Sequence, residues 1–145
     1  MLNASHTYQE RQSAPNLGEQ IFEDYCKKMG YQCVKVGFDE KRDVVKNISS
    51  LNPYLRNLPD YLVDTGSMLM AVQVKGTVNM KKKEIDMIPL FMEWYSSPKA
   101  PLVYAFCFHD REKPVLVYPD KVIELYQKAT DRKWDDGVVY RNIGI

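Results

Sequence analysis

The stretch that decides the fold reads Pro59-Asp60-Tyr61-Leu62-Val63-Asp64, then Thr65-Gly66-Ser67, then Met68-Leu69-Met70-Ala71-Val72-Gln73-Val74-Lys75. Two apolar runs flank turn-forming residues, which predicts a β-hairpin. Side chains alternate between faces along a strand, so Gln73 and Lys75 share one face. In a hairpin turning at Thr65-Gly66, position 60 comes within reach of position 73. A carboxylate, an amide and an ammonium are therefore expected at one end of a sheet. An apolar strand that closes in Gln-Val-Lys needs a reason, because burying an unpaired charge is costly.

Such a trio suits metal-assisted phosphodiester hydrolysis. Asp60 would offer a hard oxygen to Mg²⁺, with the Gln73 side-chain oxygen and the Val74 main-chain carbonyl beside it. An ion held there polarises a phosphate and lowers the pKa of a bound water. Lys75 would orient or deprotonate that water, or neutralise charge developing on the phosphate. Glu19 would add a second carboxylate from a first helix; its plainer reading is a helix-capping role.

Working outward, residues 16–29 predict that helix. Asn16 lies three residues before Glu19, a capping-box spacing, and Ile21, Phe22, Tyr25, Cys26 and Met29 form one apolar face. Gly30 ends it, after Lys27 and Lys28. Residues 31–36 read as a strand. Residues 37–58 are polar and aperiodic, an insertion with a short helix expected around 41–48. Lys81, Lys82 and Lys83 fall in a polar linker and are candidate contacts to a nucleic-acid backbone. Residues 85–95 predict an apolar helix with Asp86 as its cap; Pro89 is tolerable only near its start. Strands are expected at 102–108, 114–118 and 138–141, and a helix at 121–130. The order α-β-β-β-α-β-β-α-β predicts one α/β domain over 16–145, after a flexible lead-in at 1–15.

Composition limits the alternatives. The chain has 145 residues, 20 Lys plus Arg and 19 Asp plus Glu, so any basic surface must come from segregation of charge. Cys26, Cys33 and Cys107 fit neither a disulfide framework nor a zinc knuckle and are expected reduced and largely buried. With His6 and His109 as the sole histidines, a His-rich metal site is excluded. No apolar run approaches the roughly 20 residues that span a bilayer, which predicts a soluble, intracellular (cytoplasmic) protein.

The pattern Pro59-Asp60, then Gln73-Val74-Lys75 across a two-strand hairpin, resembles the PD-(D/E)xK nucleases, the restriction-endonuclease-like superfamily. The nearest group by resemblance is the archaeal-type Holliday-junction resolvases. The helix carrying Glu19, then Gly30-Tyr31 and a strand, fits the same pattern, as do the basic linker from Gly76-Thr77 to Lys83 and the apolar helix after it. The resemblance spans roughly residues 16–118. It implies a restriction-endonuclease-like core, a central mixed β-sheet flanked by helices, Mg²⁺ or Mn²⁺ as cofactor, and endonucleolytic cleavage of DNA in recombination, repair or phage biology. It assigns the catalytic and metal-binding roles to Glu19, Asp60, Gln73 and Lys75. The substrate could be branched, duplex or single-stranded DNA, and two symmetric cuts in a junction would require a homodimer.

Two departures matter. The family usually has Glu or Asp where this chain has Gln73, which opens an alternative: a catalytically silent module that binds nucleic acid or a protein. The 37–58 segment is longer than the resolvases suggest. A separate likeness, Asp64-Thr65-Gly66-Ser67 to the aspartic-protease motif, is set aside. Those enzymes pair two such aspartates, and the same four residues are ordinary hairpin chemistry.

Overall fold

A computed structural model of the chain describes residues 8–39, 41–95 and 100–145. The first helix, α1, runs from Tyr8 to Met29. It begins eight residues before the expected start, so residues 8–15 are helical rather than a loose lead-in, and Asn16 lies inside the helix instead of capping it. The early turns are polar and carry no apolar stripe, which hid them. Extending a helix already nucleated costs little per residue. Residues 1–7 of the expected lead-in lie outside the described residues. Gly30 ends α1 as expected, at φ 74°. The Tyr31 amide donates to the Cys26 carbonyl and the Gly30 amide to that of Lys27, the paired bonds of a Schellman ending.

Strand β1 (Gln32–Lys35) follows. The next segment holds a 3₁₀ turn at Ile48–Ser50 and a single turn of helix, α2, at Pro53–Arg56. No helix forms at 41–48. Asn47 explains the displacement: its side chain accepts from the Ser49 amide and starts the 3₁₀ turn there. Pro53, fixed in φ, opens α2.

The hairpin forms as β2 (Tyr61–Asp64) and β3 (Leu69–Lys75), with Tyr61 opposite Val72 and Asp64 opposite Leu69. Strand β4 (Asn79–Met80) and helix α3 (Lys82–Tyr95) come next. Lys82 and Lys83 thus belong to the first turn of a helix, not to a linker. Pro89 sits well inside α3 rather than near its start. It is exposed, and it leaves the Ile85 carbonyl without its usual helical donor. The remaining elements are β5 (Leu102–Phe106), β6 (Val115–Val117), α4 (Pro119–Lys128), β7 (Arg132–Lys133) and β8 (Val139–Asn142).

The chain is therefore α/β. Five strands form a mixed sheet in the order β1-β2-β3-β5-β6, with β3 and β5 parallel and the other pairs antiparallel. A small sheet, β4-β8-β7, stands beside it. Each face of the large sheet has its own core. On one, Phe22 and Cys26 of α1 cover Val63, Val72, Val74, Val103 and Ala105. On the other, Ile85, Ile88 and Phe91 of α3 and Val122 of α4 cover Ala71, Tyr104 and Phe106. Cys26 and Cys107 are buried, Cys33 is half-buried, and none of the three is in a disulfide. Among the described residues no helix is long and apolar enough to cross a membrane.

Candidate active site

The hairpin register decides the site. With Tyr61 opposite Val72, Asp60 stands just before the first residue of β2, at the end of the hairpin where β3 carries Gln73, Val74 and Lys75. Alternation from Ala71 puts Gln73 and Lys75 on the α3 side of β3, and Asp60, one residue outside β2, reaches the same sheet end with its side chain. Asp60 is fixed three times. Its Oδ2 accepts from the Val74 amide at 2.7 Å, and its carbonyl accepts from the amides of Val36 at 3.0 Å and Gly37 at 3.2 Å. Gly37 packs tightly against Asp60. A Cβ there would stand 3.3 Å from the Asp60 Cα and 3.5 Å from its Oδ1.

Glu19 reaches the same place from α1. A Cβ on Gly18 would stand 3.0 Å from the Gly76 Cα, so the two glycines let the helix lie against the backbone just past Lys75. That approach places the Glu19 charge near Asp60. Burial, chiefly, pushes the Asp60 carboxyl up to about 6; the Val74 amide opposes the rise, Glu19 adds to it, and Lys75 and Lys35 oppose it. Glu19 also pairs with Lys35 at 3.0 Å.

Lys75 is turned toward α3, where its Nζ pairs with Oε1 of Glu84. The other Glu84 oxygen accepts from the Lys81 amide at 2.7 Å and so caps α3. Burial drives the Glu84 carboxyl upward, but Lys75 and the Lys81 amide outweigh it, and the group ends below its ordinary range. Asp86, the expected cap, instead pairs with Lys82 at 2.8 Å. Lys81, Lys82 and Lys83 are exposed at the start of α3. Three cations there run against the helix dipole, and Glu84 and Asp86 offset them.

The structure thus brings Asp60, Gln73, Val74 and Lys75 to one sheet end, with Glu19 beside Asp60. Sequence reasoning missed Glu84, Lys35 and Tyr104. Tyr104 stands opposite Gln73 on β5, and burial first, then Glu84 and Asp60, raises its hydroxyl pKa. Glu84 has the spacing of a capping box, three residues after Lys81, but a lysine at the cap position hides it.

The donor set suits a hard divalent cation. The Gln73 Oε1 is buried without a hydrogen-bond partner, an acceptor in search of a charge. The Glu19 charge adds to the cost of ionising Asp60, which a cation would relieve. Among the described residues no three His, Cys, Asp or Glu side chains converge, so the set has two carboxylates and one amide oxygen. Comparison with protein-family models, curated proteins and solved structures finds no match for this chain.

Proposed function

We propose that the chain is a divalent-metal-dependent DNA endonuclease of the PD-(D/E)xK type, built on a restriction-endonuclease-like core. The observation that carries this reading is the Asp60 carboxylate on the Val74 amide at 2.7 Å, at the sheet end that also holds the orphaned Gln73 oxygen and Lys75. Asp60, Gln73 and Glu19 would hold Mg²⁺ or Mn²⁺, with the Val74 carbonyl as main-chain donor. The ion would supply Lewis acidity toward the phosphate and a water of lowered pKa. The Val74 amide fixes the rotation of the Asp60 carboxylate. Lys75 places a positive charge beside the phosphate oxygens, and Glu84 fixes where that ammonium stands. Lys81, Lys82 and Lys83 face solvent, where they would hold the flanking backbone by salt-sensitive contacts.

The test is cleavage of single-stranded, branched and duplex DNA with Mg²⁺ or Mn²⁺. Asp60→Asn and Lys75→Met should each abolish it. Retention of full activity by either variant would sink the site.

A second reading is favoured by Gln73 itself: a neutral ligand weakens metal binding, and the same surface would then serve a silent DNA-binding module. Titration with Mn²⁺ separates the two. Metal binding lost on Asp60→Asn supports the nuclease; DNA binding without any metal binding supports the module.

A further inference from the structure

The long connection between β1 and β2 does more than join two strands. Long connections in a small domain are often functional, and the described residues of this one before its 3₁₀ turn hold no regular element. Its first part is braced: Arg42 donates to the Gly37 carbonyl at 2.7 Å and to Asp43 at 3.0 Å, and the Asp43 amide donates to the Asp39 carbonyl at 2.8 Å. The braced loop is tied to the Asp60 carbonyl through the Val36 and Gly37 amides. Between loop and sheet end lies a groove of about 490 Å³. It is lined by the carboxylates of Asp60 and Glu19, by the apolar Phe38 and Ile48, and by Lys35 and Lys41.

We propose that this groove takes one unpaired nucleotide of a DNA strand, its base against Phe38 and its phosphate toward Asp60. The inference rests on the reading of Asp60 as the cutting centre and narrows its substrate to DNA with unpaired nucleotides. The volume lies within the range of small-ligand sites. A base paired inside a duplex cannot enter a concave site with an aromatic wall; it must leave the stack. The charges also fit a phosphate that arrives with a cation. Glu19, Asp39 and Asp60 outnumber Lys35 and Lys41 in the groove, and a divalent ion reverses that balance.

The experiment uses the whole chain with Ca²⁺, as a probe ion for binding, and oligonucleotides carrying 2-aminopurine. Single-stranded and flapped DNA should bind about tenfold more tightly than continuous duplex, with quenching of the 2-aminopurine and loss of binding in EDTA. Phe38→Leu keeps the apolar wall but removes the π face. It should abolish the quenching and weaken single-strand binding about fivefold, with duplex binding and the thermal midpoint unchanged. Equal affinity for duplex and single strand, or quenching unaffected by Phe38→Leu, would overturn the groove. Cleavage of duplex by the wild type without quenching would overturn the groove alone. Quenching without any Mg²⁺-dependent cleavage would support the groove and overturn the hydrolase reading.

Discussion

The two faces of β3 differ sharply within one strand. Toward α1, Val72 and Val74 are buried to the end of the strand under Phe22 and Cys26. Toward α3, the apolar run stops at Ala71, and Gln73 and Lys75 replace it. The first face is what burial alone selects. The second accepts an orphaned amide oxygen and a lysine that needs Glu84, and ends beside the Asp60 carboxyl that burial pushes up. Polar groups placed where apolar ones would pack mark a site rather than a core. The two lysine–carboxylate pairs make the same point. The Lys75 side chain is 18% exposed and the Lys35 side chain 39%. A shielded pair fixes its members more firmly than an exposed one.

The largest expected effect breaks the polar face only. Asp60→Asn or Lys75→Met should lower DNA cleavage at least about a thousandfold, a loss of roughly 4 kcal/mol in transition-state stabilisation. Val72→Ala on the other face should instead destabilise the fold by about 2 kcal/mol and leave the rate per folded molecule unchanged.

Next comes pH. Asp60 titrates higher in the folded chain, about 6, than the ordinary 3.8. A raised carboxyl binds its proton more tightly in the folded state. Its favourable contribution is therefore full below about pH 4 and is lost as pH rises through 6. Asp60→Asn removes that loss while keeping an oxygen for the Val74 amide. Without metal it should be more stable than wild type by about 3 kcal/mol at pH 8 and show no such gain at pH 4, read by denaturant melts. A stability difference that does not change with pH would contradict the burial of this carboxyl.

A smaller effect tests the approach of α1. Gly18→Ala forces a contact at 3.0 Å with the Gly76 backbone and should cost about 1–3 kcal/mol, with reduced cleavage because Glu19 moves away. The smallest effect is at the exposed pair. Lys35→Met should change stability by less than about 1 kcal/mol, whereas Glu84→Gln, which keeps the cap on Lys81, should lower cleavage about tenfold through Lys75. Full activity in Glu84→Gln would show that Lys75 needs no partner.

The sequence made the hairpin legible because period-two alternation and turn residues act locally. Tyr61 opposite Val72, and with it Asp60 at the Gln73–Lys75 end of β3, followed from the position of the turn. The glycine ending of α1 was legible for the same reason. The start of α1 at Tyr8 was not, because polar turns carry no apolar period. Nor was the Glu84 contact. Lys75 meets it only after the chain has folded back through β4 into α3, and Lys81 is a residue that capping rules do not favour. The groove at Phe38 depends on a loop whose shape is set by Asp39, Arg42 and Asp43, not by any repeat in the sequence.

Crystals soaked in Mn²⁺ and read for anomalous scattering test the central claim most directly. The account predicts one ion in contact with a carboxylate oxygen of Asp60 and with Oε1 of Gln73. A saturating soak that leaves this position without an anomalous peak, or places the ion away from both residues, would contradict it.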